Sequence, residues 1–154
     1  MENDKLADYQ TKRDFSRTSE PLDEAVNFDW VGEGPIFVIQ KHAASRLHYD
    51  FRIEVDGILK SWAVPKGPSV SPSQRRLAVP TEDHPLAYAD FEGVIPEGEY
   101  GGGTIMVWDR GTYNNLTDEY KKANAVQSIA EQIDAGHLLI WLDGVKLKGG
   151  YSLI

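Results

Sequence analysis

Leu47-His48-Tyr49-Asp50-Phe51-Arg52-Ile53-Glu54-Val55, followed by Asp56-Gly57 and Ile58-Leu59-Lys60-Ser61-Trp62-Ala63-Val64, is the stretch that decides the fold. Strand side chains alternate between faces, so Leu47, Tyr49, Phe51, Ile53 and Val55 share one side and His48, Asp50, Arg52 and Glu54 the other. Asp-Gly between two β-rich runs signals a hairpin, because both central residues of the preferred tight turn need positive φ. Upstream, Ile36 to Lys41 is β-rich and turns polar toward His42, as expected of a strand that delivers that histidine to an edge. Downstream, Lys66 to Gln74 reads as a Pro/Ser loop. Arg75–Val79 and Thr104–Trp108 are predicted strands, and in the connection Glu82–Gly103 the pair His84-Pro85 and the glycines argue against a continuous element.

One helix is predicted late in the chain, capped by Thr117, with Asp118 and Glu119 at its positive end and Gly136 as its stop. Ala123, Val126, Ile129, Ala130 and Ile133 form its apolar stripe. His137–Leu142, a second Asp-Gly at 143–144, Val145–Lys148, a Gly149-Gly150 break and Tyr151–Ile154 follow. Seven or eight short strands with one or two short helices predict a mainly β protein, a small closed or nearly closed antiparallel barrel, with a β-sandwich as the alternative. Residues 1–34 are polar and aperiodic and are expected to form an irregular arm; residues 35–154 are expected to form the barrel as one domain. The chain ends in a strand-like segment, consistent with a piece of a longer protein.

With 154 residues there is room for one sizeable core. No apolar run is long enough to span a membrane, and the first residues lack the apolar region of a secretory signal. The absence of cysteine excludes disulfides and thiolate metal sites and fits a cytoplasmic protein. Asn115-Leu116-Thr117 matches a glycosylation acceptor and is read as coincidence. A net charge of −8 argues against a protein that coats nucleic acid indiscriminately. The charge is unevenly spread: residues 41–76 carry seven bases against three acids, whereas 77–109 carry seven acids and no base. A local anion site on an acidic body accounts for that division.

His48, Asp50 and Arg52 on one strand face are costly to bury unless paired or holding an ion. With His42 they offer two imidazole nitrogens and a carboxylate oxygen, a set suited to a first-row divalent metal with open positions. The competing reading pairs Asp50 with Arg52 or Arg46 and leaves both histidines as surface polar groups. Arg52 beside a dication favours an anion bridging the two, as phosphoryl transfer requires. Lys66, Arg75 or Arg76, and His84 with Tyr88, are candidate further donors. Gly98–Thr104 lacks the register of a nucleotide loop and precedes a strand, so it is read as a tight turn. Trp62, Trp108 and Trp141 are expected in the core, and Trp30 could offer a stacking surface. Two further readings stay open: a cupin-like non-haem iron oxygenase, and a non-catalytic DNA-end binding module.

The segments from Phe37 to Ser69, from Arg76 to Thr104 and from Asp143 to Leu153 closely resemble the phosphoesterase domain of bacterial DNA ligase D and its stand-alone archaeal relatives. Gln40-Lys41-His42, the run Arg46–Arg52, Trp62–Ser69 and Glu82–Pro85 carry the likeness. Lys12 to Pro21 resembles the family's N-terminal segment, with Ser19 where proline is usual. The resemblance implies a 3′-end-healing enzyme of DNA repair that removes a 3′-terminal ribonucleoside and then the 3′-phosphate, leaving a 3′-hydroxyl. It implies that His42, His48 and Asp50 hold manganese, with cobalt or zinc as other candidates, and that Arg52, His84 and Tyr88 engage the phosphate. Gln40, Lys66 and Arg76 match supporting positions, and Arg13, Asp14 and Glu20 match arm residues important for activity. Primer–template 3′ ends are the implied substrate, with a separate ATP-dependent ligase, a polymerase and a Ku-like protein as implied partners and no role for a membrane.

Overall fold

The computed structural model describes residues 4–22, 26, 34–117 and 127–154. Eight antiparallel strands form one sheet: β1 (Ile36–Ala43), β2 (Leu47–Val55), β3 (Ile58–Val64), β4 (Val79–Pro85), β5 (Gly93–Ile95), β6 (Gly103–Asn115), β7 (Leu138–Gly144) and β8 (Lys148–Leu153). Their order is β4-β3-β2-β1-β6-β7-β8, with β5 added to β6, so β4 and β8 are the ends of a nearly closed barrel. Phe51, Ile53 and Val55 of β2 and Trp62 and Val64 of β3 share one cluster with Leu138, Ile140 and Leu142 of β7, which requires the sheet to curl upon itself. Among the described residues no helix is long and apolar enough to cross a membrane.

The β2–β3 hairpin turns on Asp56 (φ 52°) and Gly57 (φ 84°), the double positive-φ geometry that Asp-Gly favours. Alternation along β2 holds, except that Leu47 is exposed at the strand's start. On the opposite face a second cluster gathers Ile36, Val38, Leu59, Ile95 and Ile105 with Tyr88 and Phe91. It is covered by the 3-10 turn Leu86–Asp90 and by the arm, where a 3-10 turn (Asp4–Leu6) and α1 (Ala7–Thr11) bury Leu6 and Tyr9 completely. The Tyr9 hydroxyl donates to the Pro21 carbonyl, tying the arm's ends together.

Several expectations need correction. The strand expected over Arg75–Val79 begins only at Val79 and runs through Glu82, His84 and Pro85. Prolines 80 and 85 are tolerated because β4 lies at the end of the sheet, where a missing N–H need not break a ladder. β8 likewise runs through Gly149 and Gly150, and the expected turn at Asp143-Gly144 lies one step later, with Gly144 still in β7. Trp62 is buried and Trp108 packs on the core, whereas Trp141 is exposed. The described helix, α2 (Ile129–Asp134), is capped by Ser128, whose hydroxyl accepts from Glu131 N while the Glu131 carboxylate accepts from Ser128 N. The Thr117 hydroxyl donates to Asn115 Oδ1, and the helical residues that it was expected to cap are not described. The proposed helical positions 118–126, and Trp30, lie outside the described residues. Gly136 follows α2 with φ 76°, as its stop requires.

Candidate active site

Antiparallel pairing of β1 with β2 sets His42 opposite His48 and Gln40 opposite Asp50, all on the face away from the main core. Each imidazole has one nitrogen facing a backbone carbonyl: His42 Nε2 lies 2.7 Å from Gly101 O, and His48 Nδ1 lies 3.1 Å from Arg46 O. A carbonyl only accepts, so those nitrogens carry the protons and the lone pairs of His42 Nδ1 and His48 Nε2 face Asp50. Their distances to the Asp50 oxygens are 3.4 and 3.2 Å. Lone pairs set against a carboxylate repel unless a cation or a proton lies between them. Potential ligand atoms on all three residues lie within 4.8 Å of one another, so the set fits a divalent metal, with imidazole N–H groups anchored on carbonyls as metal-bound histidines require. Without a metal the proton serves: the hydrogen bond to Asp50 raises the His48 pKa. Asp50 is held well below the usual carboxylate range, the Arg52 charge and the two imidazoles outweighing burial.

Arg52, next but one on β2, is buried and fully directed. Its Nε donates to Gln40 Oε1 (2.7 Å), Nη1 donates to Ser61 Oγ (2.9 Å) and lies 3.1 Å from His84 Nδ1, and Nη2 is 3.6 Å from Asp50 Oδ2. Gln40 is itself fixed by donating to the carbonyls of Tyr88 and Phe91. The guanidinium also sits over the Tyr88 ring at 4.9 Å. Burial first, then the Arg52 and Arg13 charges, hold the His84 pKa well below 6.5, so its imidazole is neutral. Burial likewise pushes the Tyr88 phenol well above 10.

The arm completes the wall. Tyr88 Oη donates to Glu20 Oε2 (2.6 Å), the same oxygen receives Arg13 Nε (3.1 Å), and Thr18 Oγ1 donates to Oε1 (3.0 Å). Arg13 also reaches Glu82 Oε1 (3.6 Å), whose carboxylate is shared with Lys12 (2.9 Å) and the Tyr100 hydroxyl (3.2 Å). Arg13, Glu82 and Tyr100 line one cleft of about 150 Å³, open to solvent, together with the triad, Arg52, His84 and Tyr88. Thr81 Oγ1 is buried on its wall without a hydrogen-bond partner among the described residues.

Of the residues singled out in the sequence, His42, His48, Asp50, Arg52, His84, Tyr88 and Arg13 line this cleft, while Gln40 and Glu20 hold its members in place. Asp14 does not join them; its exposed carboxylate accepts from Ser16 N and Oγ. Arg76 is turned onto the Lys66 and Gly67 carbonyls, fixing the β3–β4 loop, and Lys66 is exposed on that loop. Glu82, Tyr100, Thr81 and Ser61 were not anticipated. Glu82 had a signal: two residues before His84, it shares that residue's face once the segment is read as a strand.

The site joins a metal-competent His-His-Asp set to a buried, cross-braced guanidinium on a nearly closed antiparallel barrel. The chain belongs to the DNA ligase D 3′-phosphoesterase domain family, whose model matches residues 40–154. It is 52% identical over 149 residues to the multifunctional non-homologous end joining protein LigD of Pseudomonas aeruginosa, covering 97% of this chain and 16% of that protein. Identity to the multifunctional non-homologous end joining DNA repair protein LigD of Mycobacterium tuberculosis is 44% over 151 residues, covering 98% and 18% respectively. The LigD of Mycolicibacterium smegmatis is 43% identical over 152 residues, at 98% and 19%. The chain thus spans less than a fifth of the length of these relatives.

Proposed function

We propose that this chain is a metal-dependent phosphoesterase that heals DNA 3′ ends, first removing a 3′-terminal ribonucleoside and then the 3′-phosphate to leave a hydroxyl for repair and ligation. The observation that carries the reading is the pair of imidazole lone pairs aimed at Asp50 with Arg52 3.6 Å from the same carboxylate. His42, His48 and Asp50 would hold the ion, manganese in this reading with cobalt or zinc as substitutes. Bound there, it would supply Lewis acidity and a water acidified toward attack.

The protein's own groups account for the rest. Arg52 is braced by Gln40 and Ser61, which leaves Nη2 to grip a phosphoryl oxygen, a donor worth about 3 kcal/mol in such a site. His84 Nδ1 also lies 2.9 Å from the Glu82 carbonyl, which only accepts, so Nδ1 carries the ring proton and the Nε2 lone pair is left to accept a hydrogen bond or a proton at the reacting phosphate. A neutral ring argues against delivery of a proton from imidazolium and supports a role as hydrogen-bond acceptor or base. Glu20 holds the Tyr88 hydroxyl and Arg13 at the rim, so the arm is part of the working site. The names of the relatives favour a setting in non-homologous end joining beside a ligase, a polymerase and a Ku-like protein. An oxygenase reading would leave the Arg52–His84 pair without a task.

The test is a 5′-labelled primer–template ending in one ribonucleotide, incubated with manganese beside His48→Ala. Successive 3′-phosphate and 3′-hydroxyl products from wild type alone are expected. No product at any manganese concentration would reject the proposal.

A further inference from the structure

Among the described lysines and arginines, most are already engaged. Lys12, Arg13, Arg17, Arg52, Lys60 and Lys148 pair with carboxylates; Arg76 is held by carbonyls, and Lys146 lies over the Trp108 ring. Lys5 and Arg110 also have partners. The described cations left without one are Lys41, Arg46, Lys66 and Arg75, and none lies far from the triad's end of the sheet. Arg46 is in the β1–β2 turn, its carbonyl against His48 and its neighbour Ala44 in the cleft wall. Lys66 opens the β3–β4 loop just past Val64, which pairs with Tyr49, and Gly67 packs on the Tyr49 ring. Arg75 adjoins Arg76, whose guanidinium pins that part of the loop to the Lys66 and Gly67 carbonyls. Lys41 projects from the opposite face of β1.

On the other flank of the cleft, the loop Pro96–Gly102 adjoins the β1–β2 turn, since a side chain at Gly103 would strike the Ala43 carbonyl. That loop carries exposed Glu97 and no base, while its half-buried Glu99 is paired with Arg17 at 3.2 Å. The mouth of the site therefore runs from free positive charge on the β3–β4 side, through Arg46, to a β5–β6 flank whose exposed charge, Glu97, is negative. Free surface cations are wasteful for a single phosphoryl group already met by Arg52, but a nucleic-acid backbone brings further phosphates at regular intervals.

We propose that Arg46, Lys66 and Arg75 form a one-sided phosphate track that seats the backbone of the primer–template duplex behind the 3′ end, while Glu97 on the other flank disfavours it. The inference rests on the DNA-end reading above and adds the direction from which the duplex enters. Its energy is electrostatic, so it should release counterions and depend steeply on salt.

The experiment is fluorescence anisotropy of a labelled primer–template ending in a 3′-phosphate, in EDTA so that no turnover occurs, with wild type, Arg46→Gln/Arg75→Gln and Arg46→Lys/Arg75→Lys. Both arginines are exposed, and unchanged thermal midpoints confirm folding. Losing two phosphate contacts should lower the salt slope by about 1.8, so that between 50 and 200 mM salt wild type loses about tenfold more affinity than the Gln variant. The Lys variant should retain the wild-type slope. Glu97→Gln should tighten binding slightly at low salt. Equal affinity and equal slope for wild type and the Gln variant would overturn the track. Failure of the enzymatic reading looks different: no manganese-dependent phosphate release from wild type, with the salt-dependent difference between variants still present.

Discussion

The two faces of β2 solve opposite problems with adjacent residues. On one, Phe51 and Ile53 meet Trp62, Leu138 and Ile140, and non-directional apolar burial suffices. On the other, Asp50 and Arg52 are almost as buried but persist only because each polar atom meets a partner brought from elsewhere: Gln40 from β1, Ser61 from β3, His84 from β4. The first face makes the fold; the second uses the fold to hold charges at fixed separations. The lesson is that mutations two or three positions apart should fail in different currencies.

The largest expected effect is on the polar face. His48→Ala removes a partly buried member of the proposed metal set with little packing behind it, so the proposed metal-dependent turnover should fall by about 10³-fold, roughly 4 kcal/mol in the barrier, with the thermal midpoint little changed. Phe51→Ala should invert that result: a loss of about 3–5 kcal/mol of stability by urea denaturation, and near-normal turnover by whatever fraction remains folded. Parallel losses of stability and turnover in both variants would break the division between faces.

Next in size is Gln40→Ala. Arg52 Nε would lose its acceptor in a buried setting, and the guanidinium would gain freedom to turn from Asp50. Turnover should fall by about 10–100-fold, as is usual for groups that orient a functional residue, while metal affinity measured by titration stays at the wild-type value. Weakened metal binding would mean that Gln40 acts on the triad instead.

How much of this was legible in the sequence differs between the same two faces. Alternation from Leu47 to Val55 and the Asp-Gly turn were readable because period and turn chemistry are local. The triad followed from them by parity. The anion half was not readable in the same way, because Ser61, Glu82 and Glu20 reach it through pairings 9 to 69 residues apart. Pro80 and Pro85 hid β4 as well: proline read as a break is sound for a central strand and misleading at a sheet's end, where this strand lies. Glu82 was lost with it. The arm's polar composition gave no hint that Tyr9 and Leu6 would be fully buried, since only two large side chains do that work. Asp109 shows the same limit; its buried carboxylate accepts from the backbone N–H groups of Val145, Lys146 and Leu147, an arrangement that depends on a turn 36 to 38 residues away.

The smallest expected effect separates the metal side of the cleft from its anion side by the sign of a pH dependence. His84 is buried beside two guanidinium groups and its pKa lies well below 6.5 in the folded protein, whereas the unfolded chain takes up a proton near that value. On the acid side the unfolded state therefore binds more protons, so the stability His84 contributes is complete above about 6.5 and is lost as the pH falls toward its folded value. His48 runs the other way in the metal-free protein: Asp50 raises its pKa, so its contribution is complete below 6.5 and is lost as the pH rises through the folded value. Urea midpoints of metal-free protein at pH 7.5 and 5.5 should show this directly. In a His48→Ala background the midpoint should drop on acidification, and adding His84→Gln should shrink the drop. In a His84→Gln background the remaining His48 should favour the acid condition. A His84→Gln substitution that leaves the acid-side loss unchanged would mean that the ring is already protonated in the folded protein, and the neutral acceptor role assigned to its Nε2 would have to be given to another group.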